Sequence, residues 1–150
     1  MKKENIDLIY IQHHRDSNSY KQLKKNFSKY ATVTNHINLT DYIQQCSLLI
    51  TDYSSVAFAF MFQNKPTLFY LIDYNDKLKF FEKQFFKLND PLYFGNYFIN
   101  QNKLIKNIQY YIKNNFVIDK TLKKKYESVF YYKVNITQRI FEIINKIAKS

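Results

Sequence analysis

The chain has 150 residues, 46% of them hydrophobic, enough for a single domain over 1–150 that buries about two-thirds of its unfolded surface. Its one cysteine excludes an internal disulfide, no run of about 18 apolar residues marks a membrane span, and no hydrophobic stretch of signal-peptide length follows Met1-Lys2-Lys3-Glu4-Asn5, so a cytoplasmic protein is expected. The formal net charge of +11 favours polyanions as partners (nucleic acid, anionic lipid or a phosphate-rich polymer), although the crowding of Lys, Asn, Ile, Tyr and Phe beside scarce Ala and Gly is also what an AT-rich coding sequence produces.

Ile6 to Ile11 is a short apolar run that reads as a buried strand. It ends in Gln12-His13-His14-Arg15-Asp16, after which Ser17 or Asn18 can cap a helix to about Tyr30 with Tyr20, Leu23, Phe27 and Tyr30 at helical spacing. Thr32-Val33-Thr34 is a candidate second strand. Leu39 to Ile43 starts a short helix capped by Thr40 or Asp41, and Cys46 at its end reads as a buried structural thiol, since no motif frames it. Leu48 to Thr51 makes the next strand, Ser54 to Gln63 a helix and Thr67 to Ile72 another strand. The remainder is more helical: Asp76 to about Leu88 as a helix or loop, then Asn102 to Asn114, Lys120 to Phe130 and Ile136 to Ala148. Strands alternating with helices predict an α/β fold with a parallel sheet covered by helices on both faces and a helical C-terminal portion.

In such sheets ligands sit beyond the carboxyl ends of the strands. Two corners of this chain lie there: His13-His14, and the turn Thr51-Asp52-Tyr53-Ser54-Ser55, and they are expected to face one crevice. An Asp or Ser at a helix start is by itself an ordinary N-cap, worth about 1 kcal/mol. Hydroxyls beside unpaired backbone N–H groups are also a ready site for phosphate or pyrophosphate. Adjacent histidines without a third ligand make a poor metal site, and no metal or cofactor is expected.

The segment Ile50-Thr51-Asp52-Tyr53-Ser54-Ser55-Val56-Ala57-Phe58-Ala59-Phe60, followed by Lys65-Pro66-Thr67-Leu68-Phe69, resembles a recurring nucleotide-site signature of the CDP-glycerol glycerophosphotransferases, the teichoic-acid and capsule polymerases and primases. The resemblance runs from about Ile6 to Ile147 and is most specific between Ile50 and Tyr70. It implies a Rossmann-like domain equivalent to the C-terminal, donor-nucleotide half of a GT-B transferase, with a CDP-linked donor and a lipid-linked or polymer acceptor. By that resemblance Ser54 and Ser55 hold the pyrophosphate. Asp52 fixes the turn or bonds a ribose or glycerol hydroxyl, because a carboxylate facing phosphate repels it. His13, with His14 as the alternative, assists departure of the nucleotide as a cation or proton donor. Asp73 matches an aspartate that could bind a sugar hydroxyl, and Arg139 a residue of the final helix that could reach phosphate; a turn role and a surface ion pair are their plainer readings.

Two departures stand out. Ala59 occupies the place of a family Asp, removing a carboxylate from the substrate site. Family members are also much longer, and the half that carries acceptor-binding groups is expected to be absent here. A glycerophosphotransferase of cell-wall or capsular polysaccharide synthesis, with a basic surface suited to the inner face of the membrane, is therefore set against a non-catalytic nucleotide-binding remnant or a subunit completed by a partner chain. A specific nucleic-acid-binding domain would rest on charge and tyrosines alone, and no recognition motif supports it.

Overall fold

Apolar runs that alternate with helical segments become parallel strands wherever the chain returns in the same direction through a helix. The computed structural model describes residues 6–12, 19–34, 39–73, 96–130 and 135–149. They belong to two compact units, Met1–Gln45 and Cys46–Ser150, each with its own sheet.

In the first unit β1 (Ile9–Ile11), α1 (Tyr20–Phe27), β2 (Thr32–Thr34) and α2 (Leu39–Gln45) follow in order. The two strands pair in parallel, Ile9 opposite Thr32 and Ile11 opposite Thr34. The Tyr20 hydroxyl donates to the Val33 carbonyl at 3.3 Å, tying the crossover helix to the buried residue of β2. The first strand is shorter than Ile6–Ile11, and α1 stops at Phe27 because the N–H groups of Tyr30 and Ala31 both turn back onto the Phe27 carbonyl, at 2.8 and 2.9 Å. Ser19 takes the N-cap position of α1, where it makes no side-chain cap bond; the expected caps Ser17 and Asn18 lie outside the described residues. Thr40 and Asp41 lie inside α2 rather than capping it; a carboxylate in a first turn still favours the positive end of the helix dipole.

The second unit contains β3 (Leu49–Thr51), α3 (Val56–Phe62), β4 (Thr67–Tyr70), β5 (Asn96–Phe98), α4 (Gln101–Lys113), α5 (Lys120–Val129) and α6 (Ile136–Ala148). Its sheet runs β3-β4-β5, all parallel, with Leu49 opposite Thr67 and Leu68 opposite Asn96. The middle strand is apolar without alternation because both of its faces are covered. Phe69 and Leu71 pack with Ala57 and Met61 of α3 and Leu122 and Tyr126 of α5. Leu68 points the other way, onto Phe98, Leu104 and Tyr111 of β5 and α4. Ile118 packs against both clusters. The α/β fold with helices on both faces of a parallel sheet is what the alternating pattern predicted.

Strand β5 falls between the expected segments Asp76–Leu88 and Asn102–Asn114, where no element was expected. Asn96-Tyr97-Phe98 has one buried residue and no alternation, and it becomes a strand because β4 offers an unpaired edge. The expected helix or loop over Asp76–Leu88 lies outside the described residues.

With a single glycine in the chain, asparagine takes the left-handed positions at helix ends. Asn64 (φ 57°) closes α3: its N–H reaches the Met61 carbonyl at 2.9 Å and the Lys65 N–H reaches Phe60 at 3.0 Å, the paired bonds of a Schellman end, with Pro66 next. Asn115 (φ 50°) closes α4 in the same way, through Ile112 and Tyr111. At the other end of α4 the Asn100 side chain accepts from the N–H groups of Asn102 and Lys103, at 2.9 and 3.2 Å. Asn100→Ala is expected to cost about 1 kcal/mol in denaturant unfolding, and an unchanged midpoint would show the cap to be idle. Helix α6 buries no side chain, and Ile136, Ile140, Ile143, Ile144 and Ile147 are all exposed.

Candidate functional site

The chain leaves β3 at Thr51, bends through Asp52 and Tyr53, and enters α3 at Val56 rather than at Ser54. Ser55 already has helical angles (φ −65°, ψ −15°) and makes no side-chain cap bond. The Ser54 hydroxyl accepts a long 3.4 Å bond from the Val56 N–H. The Ser54 and Ser55 carbonyls accept from Ala57 and Phe58, at 3.3 and 3.1 Å, so the backbone closes the turn with little help from either hydroxyl. Asp52, Ser54 and Ser55 are exposed. A helix of seven residues has a weak macrodipole, so hydroxyls and first-turn N–H groups, more than the axis, are what this turn offers an anion.

Asp73 follows β4, the strand beside β3, and is brought to the same edge. The Tyr53 hydroxyl donates to Asp73 Oδ1 at 3.1 Å across twenty positions of sequence. The Tyr53 ring packs partly buried against the cluster of Ala57, Met61, Phe69 and Tyr126. Four of the expected site residues, Asp52, Ser54, Ser55 and Asp73, thus gather at the carboxyl ends of β3 and β4. Tyr53 is the member that sequence reasoning passed over: in a chain with 14 tyrosines its type carries no signal, and only the β3–β4 pairing shows its partner.

His13 and His14 lie outside the described residues, and with them the shared crevice. Arg139 is exposed on α6, which contributes to neither core cluster. Ala59 is half-buried on α3, one turn beyond Ser55. Cys46 is half-buried just past α2; burial pushes its thiol up against the opposing pull of Lys65, which fits an inert structural thiol. Beneath the turn, burial drives the Tyr126 phenol up to about 12. Thr67 tempers that rise, yet no contact of the Tyr126 hydroxyl meets hydrogen-bond geometry. Among the described residues no group of three or more His, Cys, Asp or Glu side chains is placed to hold a metal ion, and no helix is long and apolar enough to cross a membrane.

A family model for CDP-Glycerol:Poly(glycerophosphate) glycerophosphotransferase matches residues 1–146. The chain is also 32% identical over 111 residues to the minor teichoic acid biosynthesis protein GgaB of Bacillus subtilis (strain 168), an alignment that covers 69% of this chain and 12% of GgaB. No solved structure matches.

Proposed function

Because the chain belongs to the CDP-glycerol:poly(glycerophosphate) glycerophosphotransferase family, we propose that its β3–α3 turn receives the pyrophosphate of a CDP-linked alcohol and that it forms the donor side of a glycerophosphotransferase in cell-wall or capsular polymer synthesis. One observation carries this: at the family's nucleotide signature, Ser54 and Ser55 stand exposed at a strand's carboxyl end with hydroxyls that the turn itself scarcely uses. In this reading the two serines and the first-turn N–H groups bind the phosphates, and Asp52 shapes the turn. His13 or His14 protonates or neutralises the departing nucleotide. Arg139 adds a cation for phosphate. Positioning and electrostatic stabilisation supply the rate. A polymer or lipid-linked acceptor approaches from the open side, and the net charge of +11 supports contact with an anionic membrane surface and with the phosphate-rich product.

Titration calorimetry with CDP, CMP and CDP-glycerol tests the donor site. CDP is expected to bind with a micromolar-to-millimolar constant and CMP more weakly, because it lacks the second phosphate. No heat from CDP at millimolar concentration would remove the reading.

Ala59 favours a second reading, in which the chain binds nucleotide without transferring anything. A carboxylate lost from a substrate site costs several kcal/mol of transition-state stabilisation where it meets the reacting group. A binding module of this kind would complete its site with another chain. Release of CMP from CDP-glycerol separates the two: turnover supports the transferase, and binding without CMP release supports the module.

A further inference from the structure

We infer that Tyr53 is a positioning residue, which holds the Asp73 carboxylate to accept hydrogen bonds from the hydroxyl groups of the bound donor. The inference rests on the donor-site reading and adds a recognition element to it. Tyr53 sits between Asp52 and Ser54 in the turn, yet its ring is anchored in the core while the neighbours on either side are exposed. An anchored phenol delivers its O–H to one place, and that place is Asp73 Oδ1, at 3.1 Å. The bond therefore couples the turn after β3 to the segment after β4 and fixes the carboxylate's direction at the edge where the ligand would lie.

The chemistry of a carboxylate at this spot narrows what it faces. Asp73 follows the strand beside β3 and is bonded to the residue between Asp52 and Ser54, so it borders the place where Ser54 and Ser55 would hold phosphate. It would repel a phosphate there and cannot donate to one. It accepts strongly from hydroxyls. On a CDP-linked alcohol, the hydroxyls within one group of the pyrophosphate are those of the ribose and those of the alcohol. Both are diols, and the base lies beyond the ribose.

The test measures binding of CDP, 2′,3′-dideoxy-CDP and CDP-glycerol to the unsubstituted chain and to Tyr53→Phe, with a thermal melt of each. Releasing the carboxylate should weaken the hydroxyl-bearing ligand about tenfold, as loss of one hydrogen bond to a charged group does. A loss with CDP that vanishes with the dideoxy analogue assigns Asp73 to the ribose. A loss confined to CDP-glycerol assigns it to the glycerol. An equal loss with all three ligands, or none, overturns the inference and leaves Tyr53 a packing residue. Asp73→Asn, which keeps the side chain's shape, should reproduce the same selective loss, and it decides the matter if Tyr53→Phe melts early. CDP binding to the unsubstituted chain reports on the donor site separately; failure there removes both.

Discussion

Tyr126→Ala is expected to destabilise the chain by about 3–5 kcal/mol, the range for truncating a fully buried aromatic side chain. Tyr126 is 0% exposed and shares one core cluster with Ala57 and Met61 of α3, Phe69 of β4 and Leu71 just beyond it. Removing the ring opens a cavity under the first turn of α3, so whatever the Asp52–Ser55 turn binds should weaken with the fold. Tyr126→Phe separates the ring from its hydroxyl. The hydroxyl is buried without a well-formed hydrogen bond, so the phenylalanine variant should unfold within about 1 kcal/mol of the parent at neutral pH.

The same pair predicts an alkaline weakness. Burial raises the Tyr126 phenol from 10.0 to about 12 in the fold. Between those values the unfolded chain has lost the proton and the folded chain still holds it. Stability is therefore intact below about pH 10 and falls as pH rises to about 12, by about 3 kcal/mol across that interval. Tyr111, whose phenol is also raised chiefly by burial, adds to the fall. Denaturant unfolding across this window should show Tyr126→Phe overtaking the parent as pH rises. Parallel curves for the two would mean that the Tyr126 hydroxyl reaches water in the fold.

Replacing Ser54 and Ser55 together by alanine is expected to weaken CDP binding by about 1–3 kcal/mol, since hydrogen bonds to a charged group are each worth about 1.5–3 kcal/mol in a dry site and less at an exposed edge. Stability should respond differently. Ser55 makes no side-chain cap bond and the Ser54 bond is 3.4 Å long, so unfolding should shift by less than about 1 kcal/mol. A double variant that binds CDP as well as the parent would strip the serines of their role. One that loses stability as much as affinity would return them to capping.

Where the described structure can be compared with the pattern of the chain, helices were the easier part. The helix over Ile136–Ala148 is legible to the residue, because an isoleucine stripe at helical spacing needs no partner to be recognised. The strand over Thr32–Thr34 is legible from its β-branched residues, and that over Leu49–Thr51 lies one residue inside the expected Leu48–Thr51. Helix starts were less so: α1 begins past Ser19 and α3 past Ser55, and neither serine makes a side-chain cap bond, so residue type alone misplaced the boundary. Strand β5 was invisible, since Asn96 and Tyr97 are exposed and its stability comes from bonds to β4.

The amino-acid sequence by itself determined the α/β class, through apolar runs that alternate with helical periods, and the family, through a signature contiguous from Ile50 to Phe60. It also located the hydroxyls of Ser54 and Ser55 near a helix start, because that relation is local. Only the tertiary structure decided that Asp73 stands beside that turn and that Tyr53 bonds it, because both facts depend on β3 and β4 pairing in parallel with Thr51 opposite Phe69. Pairing register depends on which faces two helices bury, and no window of sequence contains both faces at once.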